Sequence, residues 1–204
     1  MGMAVRPAEC YVNSNDKQTP EARYPLGVPV PKEPLWEYII FHHAKNQAMT
    51  ALSWILRPFD RLSAAEIYNV LRLRSRVFVV EQQCLYLDMD DRDQEAFHLL
   101  GMQDGLLVAY ARLFAPGAYY REPAIGRIVT VPEVRGTGIG KLLVKESLEI
   151  ARRLYGDGPV RIGAQSHLER FYEGFGFRVA GEPYVEDGIL HVEMVFSGFP
   201  WGNE

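Results

Sequence analysis

Three glycines stand on alternate positions in the stretch TVPEVRGTGIGKLL, Thr130 to Leu143, with Arg135 just before the first and Lys141 just after the last. Without a Cβ, Gly136, Gly138 and Gly140 either relieve a tight turn or let a bulky ligand reach the backbone amides. Two phosphate motifs can be tested by spacing. A Walker loop, G-x-x-x-x-G-K-[ST], would need glycine where Arg135 stands and Ser or Thr where Leu142 stands, so it fails. A dinucleotide fingerprint, G-x-G-x-x-G, would place its third glycine on Lys141 or Leu143, and fails too. What survives is a helix start. Four amides there lack intrahelical partners, and the helix dipole adds about half a positive charge, so an anion is the natural guest. Arg135 and Lys141 add charge at the rim, where each charge-assisted bond contributes about 1.5–3 kcal/mol. On these residues alone, a glycine-rich turn with no ligand is the alternative.

The elements around the loop decide how it is held. ALSWILRPF reads as a strand, followed by a helix over RLSAAEIYNVLRLRSRVF that opens with a capping box, Ser63 and Glu66, and a hydrophobic staple from Leu62 to Ile67. Ile67, Val70, Leu71 and Val77 give that helix a core face. AFHLLGM and LLVAYARLF form a hairpin around Asp104-Gly105, and AIGRIVTV is a further strand leading into the glycine loop. The helix after the loop turns Ile139, Leu142, Leu143, Ile150 and Leu154 to one side and stops near Gly156. PVRIGAQ is a strand, HLERFYEGFGF a short helix closed by Gly174 and Gly176, and YVEDGILHVEMVF a hairpin turning at Asp187-Gly188. Hairpins mixed with helical crossovers predict an α/β fold: a mixed, largely antiparallel sheet flanked by helices.

Residues 1–48 read as an N-terminal extension, rich in proline, with a short helix after Pro34 offering Leu35, Trp36, Ile39 and Ile40. Residues 49–197 form the domain and 198–204 a tail. A 204-residue chain that is 48% hydrophobic can bury one good core without staples. The net charge of -4 gives no basic surface for nucleic acid. Cys10 and Cys84 match neither a disulfide framework nor a metal spacing, and they read as reduced thiols of a cytoplasmic protein. No apolar run approaches the roughly 18 residues of a membrane span, and the first residues lack a signal-peptide core. The acidic run DMDDRDQE, Asp88 to Glu95, lacks EF-hand spacing and reads as a solvated loop.

Residues 135–140, RGTGIG, resemble the [QR]-x-x-G-x-[GA] pyrophosphate loop of the GNAT superfamily of N-acetyltransferases, which lies there between the fourth strand and the third helix. FYEGFGF, Phe171 to Phe177, is similar to the later [FL]Y-x-x-x-GF helix of that family. The likeness covers about residues 51–196. LRSRVFVVEQQCLYLDMDDRD, HLLG at His98, IGRIVT, GAQSHLERFYEGFGF and EDGILHVEM together resemble its ElaA-like branch.

The resemblance implies a GNAT-like fold and acetyl-CoA as acyl donor. Ile128, Val129 and Thr130 would pair with the pantetheine arm through main-chain groups, and Arg135, Gly136, Thr137, Gly138, Ile139, Gly140 and Lys141 would hold the pyrophosphate. Gln165 stands seven residues before Tyr172, where many relatives carry a cofactor-contacting Asn. Tyr172 would be the acid for the departing thiolate, and a main-chain N–H near Val129 the oxyanion donor. An amine of pKa about 10.4 is almost wholly protonated at neutral pH, so a proton must leave before attack. The strands that supply a base in some relatives offer only Arg127 and Arg161 here. Glu81, at the end of the apolar run VFVV, is the first candidate base, with His98 and His191 behind it as base or substrate contacts.

The leading expectation is therefore an acetyl-CoA-dependent N-acetyltransferase, with direct transfer to a primary amine of a small molecule or peptide in a ternary complex. No metal is called for, and Cys84 lacks an activating partner for a covalent route. A non-catalytic acyl-CoA sensor shares the glycine loop without needing Tyr172. An acyl-homoserine-lactone-synthase-like enzyme shares the fold, but a carrier-protein donor makes less use of the loop. Trp36 and Trp201 are candidate contacts of a homodimer.

Overall fold

Alternation along the third strand sets the layers. In the computed structural model, which describes residues 39–41 and 52–198, Leu99 and Leu100 are both buried but join different clusters. Successive strand residues point to opposite faces, so the sheet carries a helix on each side. The strands are β1 (Ile39–Phe41), β2 (Ser53–Pro58), β3 (Phe97–Gln103), β4 (Leu106–Phe114), β5 (Ala124–Thr130), β6 (Val160–Gln165), β7 (Phe177–Val179), β8 (Tyr184–Glu186) and β9 (Ile189–Phe196). The helices are α1 (Ala64–Arg74), α2 (Ile139–Tyr155) and α3 (Glu169–Glu173).

The sheet order is β1-β2-β3-β4-β5-β6-β9-β7, with β8 also on β9. β5 and β6 form its parallel pair, and the other pairings are antiparallel. This is the mixed, largely antiparallel sheet that the sequence predicts. The crossover between β5 and β6 is α2, long enough to return the chain for parallel pairing. Leu143, Val144 and Leu148 of α2 pack with Ala111, Ile125 and Ile162 on one face. Val70 and Leu73 of α1 pack with Leu100, Tyr110 and Val129 on the other.

Local signals set the element ends. Ser63 Oγ accepts the Glu66 amide at 3.2 Å, and the Glu66 carboxylate accepts the Ser63 amide at 2.8 Å, closing the expected capping box. Asp104 and Gly105, and again Asp187 and Gly188, have positive φ, which fits the right-handed twist of two-residue hairpins. Beyond Arg74 the chain continues through Ser75–Glu81 as a wider, π-helical winding. Leu142, expected on the inner side of α2, is 44% exposed.

The extension and the tail lie largely outside the described residues, as do Trp36 and Trp201. The helix expected after Pro34 is corrected where it is described. Ile39–Phe41 is a strand, registered antiparallel on β2 as Ile39↔Ile55 and Phe41↔Ser53. Two isoleucines and a phenylalanine suit a pleated edge, and an available partner decides the matter. The pyrophosphate-type loop lies between β5 and α2. With β1 added at the front, the strand before it is fifth in the chain.

Candidate active site

β5 and β6 touch at one register pair, Ala124↔Arg161, supported by the Arg161 amide donating to the Pro123 carbonyl at 2.9 Å. Beyond that point they splay, and a cleft of about 850 Å³ opens between them. Ile128, Val129, Thr130, Arg135, Gly136, Thr137, Gly138, Gly140, Lys141, Gln165, Tyr172, Glu81 and His191 all line it. Residues spread over more than a hundred positions of chain are thus brought to one wedge. Ile139, expected among the loop's contacts, does not line the cleft: its side chain is buried in the core under α2.

The loop fits an anion. Gly136 and Gly138 take φ of 78° and 97°, a region that penalises any Cβ, and Gly138 is the N-cap of α2. A Cβ on either would have nothing within 4 Å, and one on Gly140 would meet only Thr130 at 4.0 Å. The space beside these glycines is therefore free of side chains, and the backbone at this helix end lies open to the cleft, with the Thr137 and Lys141 amides turned to the Val134 and Gly138 carbonyls. Thr137 Oγ1 donates to the Val134 carbonyl at 2.7 Å and pins the turn. These residues fit the diphosphate of a CoA molecule.

The charges at the rim are already arranged. Arg135 donates to both oxygens of Glu81, at 2.5 and 3.0 Å. That hydrogen bonding holds the Glu81 carboxyl below its ordinary pKa. A half-exposed carboxylate engaged this way is a weak proton acceptor, which weighs against the role of base expected for Glu81. Gln82, one residue on, exchanges amide hydrogen bonds with Gln165, at 3.2 Å from Gln165 to Gln82 and 3.5 Å in return. The π-helical segment therefore reaches both sides of the wedge.

Tyr172 sits on α3, 6% exposed, with its ring edge-on to Phe171 and Phe177. Burial raises its pKa, so the phenol keeps its proton at neutral pH. His191 lines the cleft, stacked on Tyr184, with Nδ1 bonded to the Ile189 carbonyl at 2.9 Å.

His98 lies elsewhere. It is 1% exposed, with Nδ1 2.7 Å from the Tyr110 hydroxyl and Nε2 2.9 Å from the Asp93 carbonyl. A carbonyl only accepts, so Nε2 carries the proton and Nδ1 accepts from Tyr110. Both nitrogens are satisfied inside the protein, and burial lowers the pKa to about 4. His98 is therefore a structural histidine and neither a base nor a substrate contact.

The acidic run is not a solvated loop. Asp88 and Asp93 are 2% and 7% exposed, paired with the wholly buried Arg74 at 2.7 and 2.6 Å. Arg112 spans Asp90 and Asp93 at 2.6 and 2.7 Å, and Arg127 reaches Asp88 at 2.9 Å. Desolvation opposes the charge on Asp90, but Arg112 and Arg127 outweigh it and hold the pKa at about 2. Sequence reading missed the cluster because its arginines come from α1, β4 and β5. Arg112 and Arg127 of this cluster line the cleft, and Arg127 also shapes its wall. Arg127 has a φ of 50° and sits in a bulge, where β5 spends Arg127 and Ile128 opposite Ala111 alone. Its guanidinium is tied to Asp88, so the strand beside the wedge is fixed from behind.

Among the described residues no cluster of His, Cys, Asp or Glu forms a metal site, and no helix is long and apolar enough to cross a membrane.

Comparison with known proteins agrees with this geometry. A family profile described as an acetyltransferase (GNAT) domain matches residues 62–197. A UPF0039 protein of Synechocystis is 42% identical over 152 residues, which is 74% of this chain and 99% of the relative. The crystal structure of an acyl-CoA N-acyltransferase from Pseudomonas aeruginosa is 39% identical, with a TM-score of 0.69 over 72% of this chain and 99% of that one. The crystal structure of Escherichia coli ElaA is 38% identical, with a TM-score of 0.66 over 71% and 98%.

Proposed function

We propose that this chain, which belongs to the GNAT acetyltransferase family and its ElaA-like branch, is an acetyl-CoA-dependent N-acetyltransferase. It transfers an acetyl group to a primary amine of a small molecule or peptide by direct attack in a ternary complex. The observation that carries the reading is the wedge itself. β5 keeps β4 on one side but loses β6 beyond Ala124, and it leads to a helix end whose glycines leave the space beside the backbone free.

Each residue then has a task. Gly136 to Lys141 hold the diphosphate, with Arg135 oriented by Glu81. Ile128, Val129 and Thr130 offer main-chain groups to the arm, and Gln165 adds a side-chain amide. Acetyl-CoA supplies the activated thioester acyl group. A main-chain N–H near Val129 stabilises charge building on the carbonyl oxygen. The phenol of Tyr172 delivers a proton to the leaving sulfur. With Glu81 engaged by Arg135 and His98 buried, proton removal from the ammonium falls to water in the open cleft, or to His191.

The test is turnover with a broad amine panel, following CoA thiol release, in wild type and Tyr172→Phe. General acid catalysis is worth about 100-fold or more. The variant should lose roughly that much turnover while keeping its affinity for acetyl-CoA. A wild-type protein that binds acetyl-CoA and releases no thiol with any amine would refute the enzyme reading and leave a cofactor sensor in its place.

A further inference from the structure

The wedge has a direction. It is closed at Ala124 and Arg161 and opens toward Thr130 and the glycine loop. On the reading proposed above, a diphosphate held at Gly136–Lys141 sends the pantetheine arm past Thr130 and Ile128. Whatever is carried on the sulfur then comes nearest the closed end.

Two glycines line the cleft there, Gly126 on β5 and Gly163 on β6. A Cβ on Gly126 would have nothing within 4 Å, so one side of this end is open space. The opposite side is filled. A Cβ on Gly163 would stand 2.9 Å from the Tyr184 hydroxyl and 3.7 Å from that of Tyr120. The two phenols share a hydrogen bond, one delivered by the segment before β5 and the other by β8. Both rings are backed. The Arg161 guanidinium lies 5.5 Å from the Tyr120 ring centroid and is fixed by Glu122 and Glu193, while His191 stacks on Tyr184 at 5.8 Å.

We propose that the Tyr120–Tyr184 hydroxyl pair, seated over Gly163, is the end wall of the acyl chamber and sets the longest acyl chain the protein accepts. An acetyl methyl stops short of the wall. Longer chains must break the phenol–phenol bond and push rings that already have packed partners behind them. Glycine at 163 belongs to the same device, because any side chain there would occupy the seat of the Tyr184 hydroxyl.

The experiment is calorimetric binding of CoA and of acetyl-, propionyl-, butyryl- and hexanoyl-CoA to the full chain, with no acceptor present. Each affinity is expressed relative to CoA in the same variant. In wild type, hexanoyl-CoA should bind about tenfold or more weaker than acetyl-CoA, since one misplaced methylene is itself worth that much in a closed pocket. In Tyr184→Ala and Tyr120→Ala, tested separately for a retained fold by circular dichroism, that gap should shrink to about threefold or less. Equal wild-type affinity for acetyl- and hexanoyl-CoA overturns the wall and leaves the transferase reading standing. So does an unchanged gap in whichever variant folds. Failure of wild type to bind CoA at all overturns both.

Discussion

His98 offers the sharpest check on the interior behind the cleft. Its imidazole is neutral, buried and bonded at both nitrogens, with a pKa lowered to about 4 by burial. In the unfolded chain the same group titrates near 6.5. Between these values the unfolded state binds a proton that the folded state refuses. Unfolding then takes up protons, and stability falls as pH falls. The full difference is worth about 3 kcal/mol, present above pH 6.5 and lost by about pH 4. For a domain of this size that is a drop of roughly 6–12 °C in melting temperature. Urea unfolding of wild type and His98→Gln, from about pH 7 to 4.5, isolates the group. Glutamine offers a donor and an acceptor but does not titrate. The variant should be less stable overall, with a flatter pH curve by about 2 kcal/mol or more across that range. Parallel curves for the two proteins would mean that water reaches the imidazole and that the buried network is open.

Four further outcomes follow from single positions. Gly101→Ala would set a Cβ 2.6 Å from the Trp54 ring and 2.9 Å from the Ala109 Cβ, and calorimetric melting should show a loss of about 1–3 kcal/mol from overpacking. Gly138→Ala strains a residue held at φ 97° and lines the anion site with a methyl group, so it should weaken CoA binding about tenfold. Gly156→Ala, at φ 90° at the far end of α2, should cost stability with no change in CoA affinity, and calorimetric titration separates the two. Ser63→Ala removes the side-chain half of the capping box and should cost about 1 kcal/mol in urea unfolding.

What the sequence made legible was what neighbouring residues decide among themselves. The Asp-Gly turns, the capping box and the glycine loop at the start of α2 each depend on a few adjacent positions, and each is where the pattern puts it. Ile39–Phe41 was misread because its conformation is settled by β2, which lies further along the chain. The acidic run was misread for a related reason. Charges look solvated until their partners are known, and Arg74, Arg112 and Arg127 are up to about forty residues away. Arg74 in particular sits inside an ordinary helical stretch, and its burial follows from the aspartates rather than from its own type. Among the site residues, the loop and Tyr172 came from motifs. Gln82, Tyr120 and Tyr184 carried no motif at all, and only the meeting of separate segments over β6 draws attention to them.

The widened winding at Ser75–Glu81 governs more than its own seven residues. An α-helix advances about 100° per residue, so rewinding these seven residues as ordinary α-helix, with none deleted, would swing the following chain by roughly that angle. Glu81 would leave Arg135, and Gln82 would leave Gln165, while α1 kept its seat against the sheet. The aim of this arm toward the cleft is thus recorded in the width of the winding, and a change that tightened it would misdirect Glu81 and Gln82 without touching the cleft itself.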